Sequence, residues 1–364
     1  MVEMTKKNRK SKPLHAMRVE GKVGSVVARI RSAILSGQYA PGSRLKTYDE
    51  FEPLLGVSRA TLRSAIGVLK EEGFIKSYER SHMYVSPEPP HLSRYGLALK
   101  SQDMSSRFEQ ALSQVAEQLT RSGKVEVVIF RGIYAGSEHP DWDKLRSDIR
   151  SHRLAGLIVR SDPSFLEGTG ALEDRTLPKI AVRVAPHPGF HRVLLDNQTF
   201  TDQGVDWLIS NGRRQIAAIG FGTSPALECF IRSCETRGIS LRPEWCIGLG
   251  LDYPESARKV AQLLASLPAD RRPDGLMILD DNFAEYACSG LLAAGLRIPD
   301  EISLVVHCNW PWPVPDVVPM MRVGFDTHEV LHIALDMINR ARRNESVTDV
   351  VVAARTKENL SLSK

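Results

Sequence analysis

Cysteine is scarce in this chain of 364 residues: there are five, and no two of them form a C-x-x-C pair. Reduced thiols of a cytoplasmic protein are therefore expected rather than disulfides. No apolar stretch approaches the ~20 residues of a membrane-spanning helix. The N-terminus is basic, but no apolar core of a secretory signal follows it. These absences predict a cytoplasmic protein with no membrane partner.

Motifs for catalysis and metal binding are also missing. The sequence has no G-x-S-x-G elbow of a serine hydrolase and no His or Cys spacing typical of a metal site. Residues 220–222 (GFG) lack the third glycine of a dinucleotide-binding loop. The sequence therefore predicts no catalytic residues, no metal and no cofactor.

Positive charge is concentrated at one end of the chain. Residues 1–90 hold 16 Lys and Arg against nine Asp and Glu, a net charge of +7. The remaining residues hold 32 against 34, a net charge of −2. This asymmetry indicates nucleic-acid contact at the basic end, and the alternative is a solvated basic arm.

Four segments differ in composition. Residues 1–18 are polar and basic, which predicts a disordered arm. Residues 19–87 have the pattern of a compact helical unit with a strand pair at its end. Residues 86–90 (SPEPP) have the composition of a stiff, extended segment, and residues 88–93 are assigned as a Pro-rich linker. Over residues 94–364, short apolar runs alternate with helical patterns, which predicts an α/β fold with parallel sheets.

The helical unit carries two capping signals. Apolar spacings of three and four predict a first helix over residues 23–34. Thr47 and Glu50 form a capping box that opens a second helix, and Ser58 caps a third helix over residues 59–72. Two short strand-like runs follow and predict a small hairpin.

The outward face of the third helix suits DNA. The first turn of a recognition helix enters the major groove, where Arg grips guanine or phosphate and Thr touches a phosphate or a thymine methyl. That face begins with Arg59, Ala60, Thr61 and Arg63. The alternative is a helical hairpin used for docking another protein.

Three motifs make this unit similar to the GntR-type winged helix-turn-helix proteins. They are residues 41–45 (PGSRL), 55–63 (LGVSRATLR) and 69–75 (LKEEGFI). The resemblance implies DNA contacts from the first turn of the third helix, and the predicted interface extends to polar and basic neighbours. The predicted DNA-binding residues are Arg44, Lys46, Thr47, Ser58, Arg59, Ala60, Thr61, Arg63, Arg80 and His82.

The sequence departs from that family at three places. Residues 46–47 are Lys-Thr where the family usually has Pro-Ser, and Asp49 stands where it often has a DNA-contacting Arg. Residues 80–82 of the wing are Arg-Ser-His in place of Gly-x-Gly. We expect Lys46 to supply the positive charge that Asp49 does not, and a basic side chain of the wing to insert beside the DNA.

The longer segment resembles the effector-binding domain of the LacI/GalR repressors, which is related to periplasmic sugar-binding proteins. The motifs are residues 193–197 (VLLDN), 212–216 (GRRQI), 274–281 (DGLMILDD), 295–299 (GLRIP) and 301–306 (EISLVV). The whole chain is similar to the arabinose-repressor type, a GntR head on a LacI-like body. The resemblance implies two α/β lobes with the ligand in the cleft between them. It places three crossovers near 194–197, 308–311 and 322–326.

Ligand candidates are polar residues that follow strand ends, because open α/β sheets bind ligands at the carboxyl ends of their strands. We predict a ligand role for Asp280 and a capping role for Asp281. Asn309 stands where the family usually has a ligand-gripping Asp, and Ala226 where many relatives have an effector-binding Arg, which argues against a standard sugar or an anionic effector. For Trp310, stacking on a sugar and packing in an interface are both open. The predicted effector-binding residues are Asp103, Asp162, Asn197, Asp280, Asn309 and Trp310, with solvated surface the alternative for the first two.

Together these patterns predict a multidomain protein, an α+β winged helix-turn-helix followed by a two-lobed α/β periplasmic-binding-protein-like domain. The predicted function is a homodimeric transcriptional repressor that binds a near-palindromic double-stranded DNA operator. Release by a small carbohydrate-like effector is expected, and corepression is the alternative. A sugar-binding or enzymatic α/β module with a basic head for protein docking is the alternative from another class.

Overall fold

The computed structural model describes residues 21–78, 82–102, 106–123, 125–160, 162–182, 185–222 and 224–360. The predicted arm, 1–18, lies outside them. The described chain forms two compact units. The first contains residues up to Arg94 together with Arg146–Leu154, and the second contains Tyr95–Leu145 and the residues from Ala155 onward.

The first unit is a short helical bundle followed by a two-stranded antiparallel wing, as predicted. Its fully buried side chains include Phe51, Leu62, Ile66 and Phe74, which come from α2, α3 and the segment that leads into the wing. Its elements are α1 (Lys22–Leu35), α2 (Tyr48–Leu55), α3 (Arg59–Glu71), β1 (Ile75–Tyr78), β2 (His82–Val85) and α4 (Pro90–Ser93).

The segment predicted to be extended, 86–90, leads into a helical turn at the end of the linker. Residues 90–93 form the single helical turn α4, with Pro90 at its first position. The fixed φ of proline suits the first turn of a helix. The Ser93 hydroxyl closes the turn by donating to the carbonyls of Glu88 at 3.3 Å and Pro89 at 3.2 Å.

The second unit contains two six-stranded sheets, which confirms the predicted two-lobed α/β architecture. The strand order is β13-β7-β6-β5-β3-β4 in the first sheet and β14-β12-β11-β10-β8-β9 in the second. In chain order the elements are β3 (Arg94–Ala98), α5 (Arg107–Arg121), β4 (Glu126–Phe130), α6 (Pro140–Arg150), β5 (Gly156–Val159), β6 (Lys179–Val182), β7 (His191–Leu195), α7 (Asn197–Ser210), β8 (Ile216–Phe221), α8 (Pro225–Thr236), β9 (Cys246–Leu249), α9 (Ser256–Ala265), β10 (Gly275–Ile278), α10 (Ala284–Ala293), β11 (Ser303–Trp310), β12 (Met321–Asp326), α11 (Thr327–Arg342), β13 (Val350–Val352), β14 (Arg355–Thr356) and α12 (Lys357–Leu360).

Parallel pairing dominates both sheets. In the second, β8, β10, β11 and β12 are parallel neighbours, and β14 pairs antiparallel with β12 at the edge. In the first, β3, β5, β6, β7 and β13 run parallel. Parallel strands place their carboxyl ends at one edge of a sheet, so the loops that follow them gather there.

Two predicted crossovers hold and the third is wrong. The chain leaves the first sheet after β7, at the predicted place, and returns to it through α11, immediately after β12. The segment 308–311 is no crossover, because β11 and β12 are neighbours in one sheet, with Trp310 opposite Asp326. The remaining crossover joins β13 to β14, strands of three and two residues. Such short strands carry no periodicity that a sequence pattern can reveal.

None of the helices in the described ranges has the length and apolar character that a bilayer-spanning segment needs.

Candidate DNA interface and ligand site

The recognition helix α3 is amphipathic and capped as the sequence predicts. Leu62, Ala65 and Ile66 have no exposed surface and fix its inner face in the core. The Ser58 hydroxyl accepts from the Thr61 amide at 3.4 Å and lies 3.0 Å from the Thr61 hydroxyl. Both hydroxyls therefore stand at the helix N-terminus, where free amides favour an anion.

The outer face of α3 presents three of the predicted residues to solvent, Arg59, Ala60 and Arg63. Among these, Arg59 is held by neighbours. Its guanidinium is hydrogen-bonded to the Asp49 carboxylate, which raises the pKa of Arg59 above its ordinary value. The pattern of α3 predicts a DNA contact for Arg59, but nothing in that pattern indicates this partner from α2.

The start of α2 is a complete capping box. The Thr47 amide donates to Glu50 Oε2 at 2.7 Å, and the Glu50 amide donates to Thr47 Oγ1 at 3.4 Å. The hydrogen bond from the Thr47 amide is the main cause of the lowered pKa of Glu50. Thr47 thus has a structural role beside the DNA contact predicted for it.

The other predicted DNA contacts lie around this helix pair. Arg44 and Lys46 are exposed, and Arg44 forms a β-bridge to Tyr84 of the wing. His82 is half-buried at the start of β2, and Arg80 lies outside the described residues. The fold thus brings Arg44 beside the wing.

Polar contacts join the two lobes of the second unit. The Arg107 amide, at the start of α5, donates to Asn282 Oδ1 at 3.0 Å. The Arg107 guanidinium lies 3.1 Å from Glu285 Oε1 of α10. Because α5 follows β3 of the first sheet and these acceptors follow β10 of the second, carboxyl ends of both sheets face each other here. The sequence analysis missed all three residues, since their pairing is a long-range contact.

A buried polar cluster occupies the carboxyl ends of β10 and β11. Asn309 Nδ2 donates to Asp281 Oδ2 at 2.8 Å, and His307 Nδ1 lies 3.6 Å from Asp281 Oδ1. The three side chains are buried, and Phe200 and Phe325 pack against the imidazole with ring centroids at 5.3 and 5.8 Å. Within the described ranges, Asn309 Oδ1 and both ring nitrogens of His307 have no hydrogen-bond partner.

The capping role predicted for Asp281 is wrong, because Asp280 performs it. Asp280 Oδ1 accepts from the Asn282 backbone amide at 3.0 Å and from its side-chain amide at 2.6 Å, which caps the 3-10 turn Asp281–Phe283. Asp281 instead points to Asn309. Two adjacent aspartates offer the same local signal, and only the contact with β11 decides between them. Ligand binding by Asp280 stays a prediction.

Two other candidates occupy loop and helix starts. Asp162 is exposed and accepts from the Ser164 amide at 2.9 Å, and its contacts to Ser164 lower its pKa. Asn197 is half-buried at the first position of α7. Asp103 lies outside the described residues.

Trp310 is packed inside the second lobe. Its side chain is buried, and its indole Nε1 donates to the Arg355 carbonyl at 3.1 Å. Its own carbonyl accepts from the Thr327 hydroxyl at 2.7 Å. These contacts are those of a packed strand end, so the ligand role of Trp310 stays a prediction.

Comparison with known proteins supports both resemblances. Residues 22–85 match the gntR family of bacterial regulatory proteins, and residues 205–356 match the periplasmic binding protein-like domain. Arabinose metabolism transcriptional repressors of Halalkalibacterium halodurans and Geobacillus stearothermophilus are each 23% identical to this chain. The alignments cover 90% and 88% of this chain, and 92% and 91% of those proteins.

The fold comparison agrees for the second unit. The solved structure of a LacI-family regulatory protein from Chloroflexus aggregans is similar with a TM-score of 0.59 and 19% identity, covering 72% of this chain and 96% of that one. The two matched family models, together with the named relatives, identify the chain as a DNA-binding transcriptional repressor that joins a gntR-family helix-turn-helix domain to a periplasmic-binding-protein-like effector domain.

Proposed function

We propose that this repressor reads a two-fold DNA operator with α3 and leaves it when a small, neutral, carbohydrate-like ligand binds the second unit. The observation that supports the DNA half best is the first turn of α3. A buried inner face fixes this turn while Arg59, Ala60 and Arg63 stay exposed. Residues 19–87 form the DNA-binding domain in this proposal, 88–93 the linker and 94–364 the effector and dimerisation domain.

The interface we propose centres on α3 and extends to the segment before α2 and the wing. Arg63 and Arg59 supply base or phosphate contacts, and Ser58 and Thr61 bind a phosphate at the helix start. Lys46 and Arg44 add positive charge beside them. The full proposed set is Arg44, Lys46, Thr47, Ser58, Arg59, Ala60, Thr61, Arg63, Arg80 and His82.

The specificity that a repressor needs for its operator favours a homodimer. One recognition helix contacts only a few base pairs, and a genome offers millions of competing sites. Two identical heads related by a two-fold axis read a near-palindromic site with both helices. We therefore propose that the functional form is a homodimer.

The proposed effector is neutral and rich in hydroxyl groups. Carboxylate and amide groups gather after β10 and β11, at Asp280, Asp281 and Asn309. Ala226 is buried among apolar side chains, and Arg107 is engaged by Glu285. Each sugar hydroxyl donates and accepts a hydrogen bond, which suits such acceptors better than an anion does. The relatives named for arabinose metabolism agree with this class.

Ligand binding acts on the contacts between the lobes. Arg107 joins them through Asn282 and Glu285, so a ligand held between the two carboxyl edges changes the balance of open and closed forms. A ligand shifts this balance only by the difference in its affinity for the two forms. The proposed effector-binding set is Asp103, Asp162, Asn197, Asp280, Asn309 and Trp310.

The linker is held by side-chain contacts within its own unit. His91 of α4 stacks on Phe74 of the head with ring centroids 5.8 Å apart. Three residues on, the Arg94 guanidinium donates to the buried Asp148 carboxylate at 2.5 Å, and Arg153 lies 3.2 Å from the same carboxyl group. Since its target is chromosomal DNA, we also propose that the protein works in the cytoplasm.

Equilibrium binding to duplex DNA tests this proposal. The full chain is used to enrich tight-binding duplexes from a random pool, and the affinity for the enriched sequence is followed between about 50 and 200 mM salt. We expect a two-fold sequence and an affinity that falls steeply with salt, because bound cations replace counterions on the phosphates. Failure to enrich any sequence, with no salt dependence, would favour the alternative of a protein-docking head.

A further inference from the structure

Three groups of α2 surround the guanidinium of Arg59, the first residue of α3. Asp49 is hydrogen-bonded to Nη1, and Glu52 Oε1 lies 3.4 Å from the same nitrogen. The guanidinium also lies over the Tyr48 ring, 5.5 Å from its centroid. An acidic pair and an aromatic face thus hold the side chain that the head offers first to the DNA.

An arginine whose guanidinium is held in place differs from a mobile one in the DNA groups that it contacts best. A bidentate contact to guanine requires a defined guanidinium plane, whereas a phosphate accepts many approaches. A free arginine also loses side-chain entropy when it binds. Fixing the guanidinium plane before the protein binds DNA lowers this loss of entropy for the base contact.

The same carboxylates act against phosphate contact. Asp49 is largely exposed beside Arg59, so it repels the DNA backbone wherever Arg59 approaches a phosphate. This repulsion weakens binding to operator and non-operator DNA equally. Only the operator places a matching base where the oriented Arg59 can contact it.

We propose that Asp49 is a positioning residue that presents Arg59 to a base edge and suppresses its contact with phosphates. Asp49 therefore raises the preference of the repressor for its operator and lowers its affinity for DNA in general. This inference rests on the proposed function of α3 as the reading helix.

The test compares the full-length protein with its Asp49→Asn variant on the enriched duplex and on a scrambled duplex of equal length. We expect the variant to bind the scrambled duplex several-fold more tightly and its salt dependence to steepen by about one released counterion. We expect the operator preference to fall on the order of tenfold. Unchanged preference and an unchanged salt dependence would overturn the proposal.

Matched variants distinguish the positioning effect of Asp49 from the effect of its negative charge on DNA binding in general. Glu71→Gln removes one negative charge from an exposed site at the other end of α3, so we expect it to leave the operator preference unchanged. In an Arg59→Ala background, Asp49→Asn should no longer change the preference. Tyr48→Phe should keep the preference, because the ring remains, while Tyr48→Ala should lower it. An equal loss in Glu71→Gln would assign the effect to charge alone and overturn the proposal.

The outcome also distinguishes this inference from the proposed function. If Arg63→Ala weakens operator binding and Asp49→Asn leaves the operator preference intact, α3 reads DNA and only the role of Asp49 fails. If Arg59→Ala and Arg63→Ala both bind the enriched duplex like the wild type, the reading helix itself is wrong. Loss of fold does not confuse the comparison, because the Arg59–Asp49 pair is exposed and such pairs contribute little to stability.

Discussion

Asn309 donates a hydrogen bond from its amide nitrogen to the carboxylate of Asp281 at 2.8 Å, with both side chains almost completely buried. The amide gives Asp281 a neutral hydrogen-bond donor. A buried charge requires such hydrogen bonds, because burial removes its hydration. The side chain at position 309 therefore decides whether a negative charge on the buried Asp281 is stabilised or opposed.

Asn309→Asp should destabilise the protein in a pH-dependent way. Two buried carboxylates in contact repel, so the pKa of one rises in the folded state above its unfolded value. The folded variant then retains a proton that the unfolded chain releases, and the loss of stability is greatest at high pH. We expect a loss of about 2–4 kcal/mol near neutral pH that shrinks as the pH falls. Thermal midpoints across a pH series measure it, and a deficit independent of pH would contradict the coupling.

Arg59→Ala and Arg63→Ala should each weaken operator binding without unfolding the protein. Both side chains are exposed on α3, so truncation removes a DNA contact and little packing. We expect a loss of about 1–3 kcal/mol in binding free energy for a base contact. Fluorescence anisotropy with the enriched duplex provides the measurement. Arg121→Ala, an exposed arginine at the end of α5, is the matched control and should bind like the wild type.

Asp148→Ala should destabilise the protein strongly. Its carboxylate is 1% exposed and holds both Arg94 and Arg153, so its removal leaves cationic groups without their anion. Breaking a buried ion pair from one side costs about 3–5 kcal/mol. Asp148→Asn keeps a hydrogen-bond acceptor and should lose less. Equal thermal midpoints for wild type and Asp148→Ala would contradict the buried network.

The buried cysteines should resist alkylation in the folded protein. Burial raises the pKa of Cys234 to about 12 and that of Cys288 to about 11. A raised pKa keeps the thiol protonated near neutral pH, and the thiolate is the reactive form. Mass spectrometry after iodoacetamide treatment at about pH 8 should find both unmodified in the folded chain and modified after denaturation. Rapid labelling of Cys288 in the folded protein would contradict its burial.

Local signals in the sequence predicted the head well. The caps at Thr47 and Ser58 and the apolar spacing of α3 act within one or two turns, so a pattern contains the information. The fold of the second unit followed from the alternation of strands and helices in the same way. The final strands β13 and β14 were missed because they are too short to show periodicity.

The candidate sites were harder to predict because they depend on contacts between distant residues. The exchange of roles between Asp280 and Asp281 is decided by Asn309, 28 residues away from Asp281. The hydrogen bond between Arg59 and Asp49 connects α3 with α2. The hydrogen bond from Arg107 to Asn282 connects the two lobes of the second unit. No spacing rule within a single element contains these pairs.

The most direct test of ligand-controlled repression is the affinity of the full chain for its enriched duplex in the presence of neutral pentoses, hexoses, uronic acids and sugar phosphates. We expect at least one neutral sugar to weaken DNA binding and to raise the thermal midpoint of the free protein, since a ligand at a hundredfold excess over its Kd stabilises by about 2.7 kcal/mol. Tighter DNA binding with a sugar would make the ligand a corepressor. If no sugar in the panel changes either quantity, or only charged sugars do, the proposed neutral carbohydrate effector is contradicted.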